Sequence, residues 1–153
     1  MATVRIRPLR EDEFEAWASA HTVGYAEGMI AFADIPRDHA EAKAARDVAA
    51  VLPHGIATEG AHLWVVEDER GRPVGSVFLG VRAGGAWLYD ITNDEAARGR
   101  GFGRAAMLAL EAEVEALGFA EIGLNVWGGN DTARSLYCSL GYAEVSVGMK
   151  KRL

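Results

Sequence analysis

The amino-acid sequence predicts an α/β (α+β) fold: a mixed, mostly antiparallel sheet of six to seven strands with about four helices. Three patterns lead there. Segments rich in β-branched and apolar residues, bounded by short turns, fill the middle of the chain, two segments of helical period precede them, and strands alternate with helices after them.

Val4 and Ile6 alternate with Thr3, Arg5 and Arg7, as in a half-buried first strand. From Glu11 to about Glu27, Phe14, Trp17, Ala18, His21 and Tyr25 recur at helical steps and share one face. Asp34 and Pro36 announce a second helix through Ala40, Ala44, Val48, Val51 and Leu52, which Pro53 stops. Gly55 to Ala61 is loop.

His62 to Glu67 and Val74 to Val81 are rich in β-branched residues and flank a six-residue connection, so they form a hairpin. After the Ala83-Gly84-Gly85 turn, a strand from Ala86 to about Thr92 completes an antiparallel meander, because no connection is long enough for a crossover. Gly101 to Leu117 is a long helix ended by Gly118, and Ile122, Leu124 and Val126 alternate as a fifth strand. Asn130 to Leu140 is a last helix ended by Gly141, and Tyr142 to Met149 a last strand. Strand, helix, strand across residues 86–126 is a crossover, so these two strands are expected to lie parallel. Ligands find a crevice where such strands diverge at their carboxyl ends.

The 153 residues suit a single domain. Half are hydrophobic and a quarter charged, which excludes intrinsic disorder. Sixteen Lys and Arg against 22 Asp and Glu give a net charge of −6. Such a chain has no global field for nucleic acid or an anionic membrane, so any anion must be held by a local site. The N-terminus lacks the apolar core of a signal peptide, and no apolar run reaches the length of a membrane span. The lone Cys138 allows no internal disulfide and no multi-cysteine metal site, and suits a reducing, cytoplasmic setting.

The segment Arg98-Gly99-Arg100-Gly101-Phe102-Gly103-Arg104 places three glycines and three arginines between a strand and a helix. Glycines let backbone N–H groups converge, and the helix start adds unpaired donors, which together suit a phosphate or pyrophosphate. The Walker Gly-Lys-Ser/Thr is absent, and the dinucleotide fingerprint would need glycine at position 104. Neither ATP nor NAD is indicated.

Arg98-x-x-Gly101-x-Gly103 resembles the pyrophosphate-binding motif of the GNAT family of acyl-CoA-dependent N-acetyltransferases, including small bacterial members. Asn130-x-x-Ala133-x-x-Leu136-Tyr137-x-x-x-Gly141-Tyr142 looks like its second coenzyme-binding segment, and the element order resembles that family over nearly the whole chain. The resemblance implies one N-acetyltransferase domain over residues 1–153 that passes an acetyl group from acetyl-CoA, a co-substrate, directly to a primary amine of a small molecule or peptide, without a metal.

The resemblance also implies residue roles. Ile91, Thr92 and Asn93 would pair through their backbone with the pantetheine amides, and Arg98 to Arg104 would hold the pyrophosphate. Asn130, with Ala133, would meet the pantetheine or shape the crevice, a role compatible with an ordinary helix cap. Tyr137 matches the family's general acid, which protonates the departing thiolate, although its place on the Ala133, Leu136, Leu140 stripe also suits core packing.

The base has no fixed position in the family. Asp90 is the first choice, because a carboxylate interrupting the strand Trp87-Leu88-Tyr89-Asp90-Ile91 usually has a purpose or a partner. Binding the substrate amine, or bonding a neighbouring strand, are its other roles. His62, Glu95 and Glu27 read more simply as surface residues. An acyl-Cys138 route is set aside, since residue 138 points about 100° around the helix from Tyr137. Trp127, Tyr25 and Phe32 are candidates to line an acceptor pocket, and Trp17 reads as core. The acidic balance favours cationic acceptors such as polyamines, aminoglycosides or basic peptide ends. Dimers are common among look-alikes, which leaves a homodimer open. The alternative function is a coenzyme A-binding sensor or partner module without turnover.

Overall fold

A five-stranded sheet, its strands adjacent in chain order, separates two layers of helix. The computed structural model describes residues 2–153. The strands are β1 (Val4–Pro8), β2 (His62–Asp68), β3 (Pro73–Arg82), β4 (Gly85–Asn93) and β5 (Ile122–Leu124). The first four are antiparallel neighbours. Helices α1 (Phe14–Ala33) and α2 (Arg37–Val51) cover one face, α3 (Phe102–Ala116) and α4 (Asp131–Ser139) the other.

Alternation along the strands builds this sandwich. Trp64, Val66, Val77, Leu79 and Leu88 meet Phe102, Ala106, Met107, Leu110 and Val114 of α3. Leu63, Val65 and Phe78 point the other way, where Phe14, Trp17, Val48 and Val51 pack on them. Helix α1 runs six residues past the expected end at Glu27 because Ala26 and Met29 bury against Ala40 and Ala44 of α2. Gly28 is tolerated inside it, since a Cβ there would lie 2.7 Å from Trp127 Nε1.

The sheet is smaller than the six to seven strands expected. Tyr142 to Met149 joins no ladder, and Val145 is 99% and Met149 93% exposed. Alternation alone does not make a strand without an edge to bond, and β5 offers only three residues. The segment is instead held by side chains: Tyr142 OH donates to Glu111 Oε1 at 2.9 Å, and Glu144 pairs with Arg134. Val126 also falls outside β5, which ends at Leu124.

Two departures from regular geometry position the site. Strands β4 and β5 are parallel, as expected, but pair only from Ala86–Ile122 to Leu88–Leu124. Beyond Leu88, the β5-facing edge of β4 has no ladder partner among the described residues. At the same point the β3–β4 register shifts, with Phe78 opposite Asp90 and Leu79 opposite Leu88, so Tyr89 is an extra residue in β4. A bulge of this kind re-aims the side chains after it. Strict alternation would put Asp90 on the face of Leu88, whereas the bulge puts it on the face of Phe78, toward α1.

Candidate functional site

The glycine-arginine segment leads from β4 into α3. Glu95–Ala97 forms a short 3-10 turn, and Gly99 and Gly101 then adopt positive φ of 73° and 80°. Glycine carries these left-handed conformations without the cost a Cβ would add. Ala105 N–H to Gly101 O is the first bond of the helix turn, and no side chain caps α3. The amides of Phe102, Gly103 and Arg104 therefore stand ahead of the helical ladder at its positive end.

The three arginines differ. Arg98 and Arg100 form no ion pair among the described residues, and Arg100 lies over the Phe102 ring, 5.0 Å from its centroid. Arg104 donates to Ser139 Oγ and so ties α3 to α4. Phe102, grouped with the coenzyme-binding residues from the motif, turns its ring into the core at 6% exposure, leaving only its backbone for a ligand. Gly103 fits between α4 and the end of β4, where a Cβ would sit 3.0 Å from Asn93 Nδ2 and 3.5 Å from Leu136.

Ile91, Thr92 and Asn93 lie on the part of β4 that β5 leaves unpaired, while β3 takes the other edge at Val77, Ser76 and Gly75. Thr92 Oγ1 and Ser76 Oγ are 3.0 Å apart, and Ser76 Oγ also accepts from Trp17 Nε1 at 3.2 Å. Asn93 Oδ1 is the one buried side-chain nitrogen or oxygen without a partner among the described residues. An orphaned acceptor is costly unless something else donates to it. Asn130 caps α4 by accepting from Ala133 N–H at 3.2 Å.

Asp90 meets α1. Its Oδ2 lies 2.9 Å from His21 Nδ1, and the imidazole stacks on Trp17 with centroids 4.9 Å apart and planes 8° apart. The same imidazole meets Phe78 edge-on at 5.7 Å. Tyr137 of α4 packs on the opposite face, with its ring tilted on Tyr142 at 5.8 Å. Burial, then the charge of Asp90, raises its pKa above the ordinary 10.0. A phenol so held keeps its proton through neutral pH. Its oxygen makes no hydrogen bond within the described chain.

Two of the other candidates, His62 and Glu27, are held by neighbours. His62 stacks on Trp64 at 5.4 Å, Glu27 accepts from Arg37 at 2.6 Å, and Glu95 is exposed in the 3-10 turn. Cys138 is exposed, one residue beyond Tyr137. Trp127 lies against Gly28 and Phe32 against Gly129, so the end of α1 abuts the loop after β5. Tyr25 OH donates to Asp47 at 2.9 Å. His21 stands out only now. In the sequence it is one member of an apolar helical face, and its signal is a titratable ring one turn after Trp17 on a buried stripe.

The sheet is thus parted between parallel strands, with a bare helix start after the opening. The model of the GNAT acetyltransferase family matches residues 6–142, and the chain belongs to that family. It is 28% identical over 155 residues to YycN, an uncharacterized N-acetyltransferase of Bacillus subtilis strain 168, with 99% of each covered. The crystal structure of YycN superposes with a TM-score of 0.93 over 99% of both chains. YdgE of the same organism, also an uncharacterized N-acetyltransferase, is 26% identical over 97% of each. The aminoglycoside N-acetyltransferase AAC(6')-Iy, solved in complex with CoA, shares the fold at 15% identity and a TM-score of 0.64, covering 100% of this chain and 96% of that one.

Proposed function

We propose that the protein transfers an acetyl group from acetyl-CoA directly to a primary amine of a small molecule or peptide. The observation that carries this is the free edge of β4 past Leu88, which leads into the bare start of α3. A pantetheine arm has amides that bond an extended strand as an added neighbour does. Residues 91–93 supply that edge, and Asn93 Oδ1 supplies an acceptor still without a donor. The amides of residues 102–104 and the charges of Arg98 and Arg100 suit the pyrophosphate. Asn130 and Ala133 shape the crevice from the start of α4, with the Asn130 amide group fixed by its cap.

In the reaction the amine nitrogen attacks the thioester carbonyl carbon, the N–C bond forms and the C–S bond breaks. Tyr137 donates its proton to the departing sulfur, and the proton lost from nitrogen restores the phenol. Asp90 provides negative charge at the amine end. An amine panel with acetyl-CoA, read by thiol release, tests this reading. Amine-dependent release is expected. Coenzyme A binding with no release for any amine would replace the enzyme with a coenzyme-binding module.

A further inference from the structure

We propose, resting on the acetyl-transfer reading, that His21 is the catalytic base that deprotonates the substrate ammonium, and that Asp90 is a positioning residue that selects its tautomer. The geometry is specific. An ionised carboxylate only accepts hydrogen bonds, so the 2.9 Å contact requires His21 Nδ1 to carry the proton. In the neutral ring the lone pair then lies on Nε2. Among the described residues that nitrogen has no partner, and it is not among the sealed, unpaired atoms, so it is not shut off from solvent. The His21 side chain as a whole is only 10% exposed and that of Asp90 27%, so a mostly buried ring presents one basic atom outward.

The surroundings fix the ring and contribute few other charges. Trp17 from α1 stacks on it, Phe78 from β3 meets it edge-on, Asp90 comes from β4, and Tyr137 from α4 lies near enough to sense Asp90. Asp90 and Tyr137 are the titratable members of that set. Asp90 itself is turned to α1 by the bulge at Tyr89 and spends an oxygen on His21, which suits it to orienting a base.

The protons balance. One passes from the ammonium to His21 Nε2 and on to solvent. The second leaves nitrogen after attack and returns to Tyr137, which has protonated the sulfur. The products are the amide, the free thiol and one proton.

Two measurements test the assignment. Nitrogen–proton correlation spectra of the wild-type protein should show neutral His21 protonated on Nδ1 and bare on Nε2, whether or not an acceptor is known. The opposite tautomer overturns the proposal. With the most active amine of the panel, kcat/KM is followed from pH 5.5 to 9.5. His21→Gln should lower it about 100-fold at pH 7 and leave a profile that rises only as the amine loses its own proton at high pH. Asp90→Asn should lower it less, because an amide no longer selects the tautomer that leaves Nε2 bare. Coenzyme A affinity should be unchanged in both. A loss equal at every pH, so that the His21→Gln profile keeps the wild-type shape, overturns the proposal. Absence of turnover in the wild type with the expected tautomer present tells instead against the acetyl-transfer reading.

Discussion

Phe78 and Asp90 face each other across the β3–β4 ladder at the one place where its register shifts. The pairing links the core to the site: Phe78 is 1% exposed, touches Trp17 and His21 edge-on, and stacks with Tyr89 at 4.8 Å. Phe78→Ala should therefore cost about 3–5 kcal/mol in urea unfolding. Phe78→Leu, which keeps more of the apolar volume, should cost distinctly less. Even where it folds, Phe78→Leu should lose activity beyond its stability loss, since the His21 ring loses its edge contact. Equal urea midpoints for Phe78→Ala and wild type would contradict the packing.

Tyr137 should behave as an acid whose proton stays put. Burial first, and Asp90 second, push its pKa above 10.0, so its ionisation should not depress the rate on the alkaline side below about pH 10. Tyr137→Phe keeps the ring and its packing on Tyr142 while removing the donor. We expect kcat to fall about 100-fold with coenzyme A affinity unchanged in calorimetry. An unchanged kcat would assign Tyr137 to packing alone.

Arg98 and Arg100 should contribute to coenzyme affinity in a salt-dependent way, because both are exposed and their phosphate contacts would be screened. Replacing either with Gln should weaken coenzyme A binding about tenfold at low salt, a loss typical of one charge-assisted hydrogen bond. Arg104→Gln should act differently. It breaks the tie to Ser139 as well, so a lower melting temperature should accompany the weaker binding. Affinity unaltered in the Arg98 and Arg100 variants would place the pyrophosphate elsewhere.

Most of this architecture was legible because it is written in local pattern. The helical stripe of Ala106, Met107, Leu110 and Val114, the apolar, β-branched run of Leu63 to Val66, and the glycines before α3 each announce an element or a turn by themselves. What escaped depends on contacts distant in sequence. Nothing local marks Tyr89 as an extra residue, so the face of Asp90, and with it the partnership to His21 69 positions away, appears only when β3 and β4 align. The missing last strand has the same cause. Val145 and Val147 alternate as a strand should, but whether an edge is free to receive them is settled far from them.

Acid should destabilise this protein through carboxylates on β2 and in the turn after β1. Glu13 accepts from Arg7 Nη2 at 2.8 Å and from Arg10 N–H at 2.9 Å, which lowers its pKa from 4.5 to about 2. Asp68 is lowered from 3.8 to about 2, first by the Arg72 backbone N–H and then by its guanidinium. Glu67, between Arg7 and Arg5, is lowered too, by Arg7 first. In each case the unfolded chain takes up the proton at higher pH than the folded one. Stability is therefore fully present above about pH 5 and is lost as pH falls through 4.5 toward 2. Urea midpoints at pH 7, 5, 4 and 3 should be level between the first two and drop over the rest. Glu13→Gln should lower the midpoint at pH 7 and flatten that drop. Asp68→Asn should do so more strongly, because Asp68 Oδ1 also accepts from the backbone N–H of Arg70 and Arg72 and closes the β2–β3 turn. A midpoint that stays level down to pH 3 in the wild type would show that these carboxylates do not stabilise the fold through their charge.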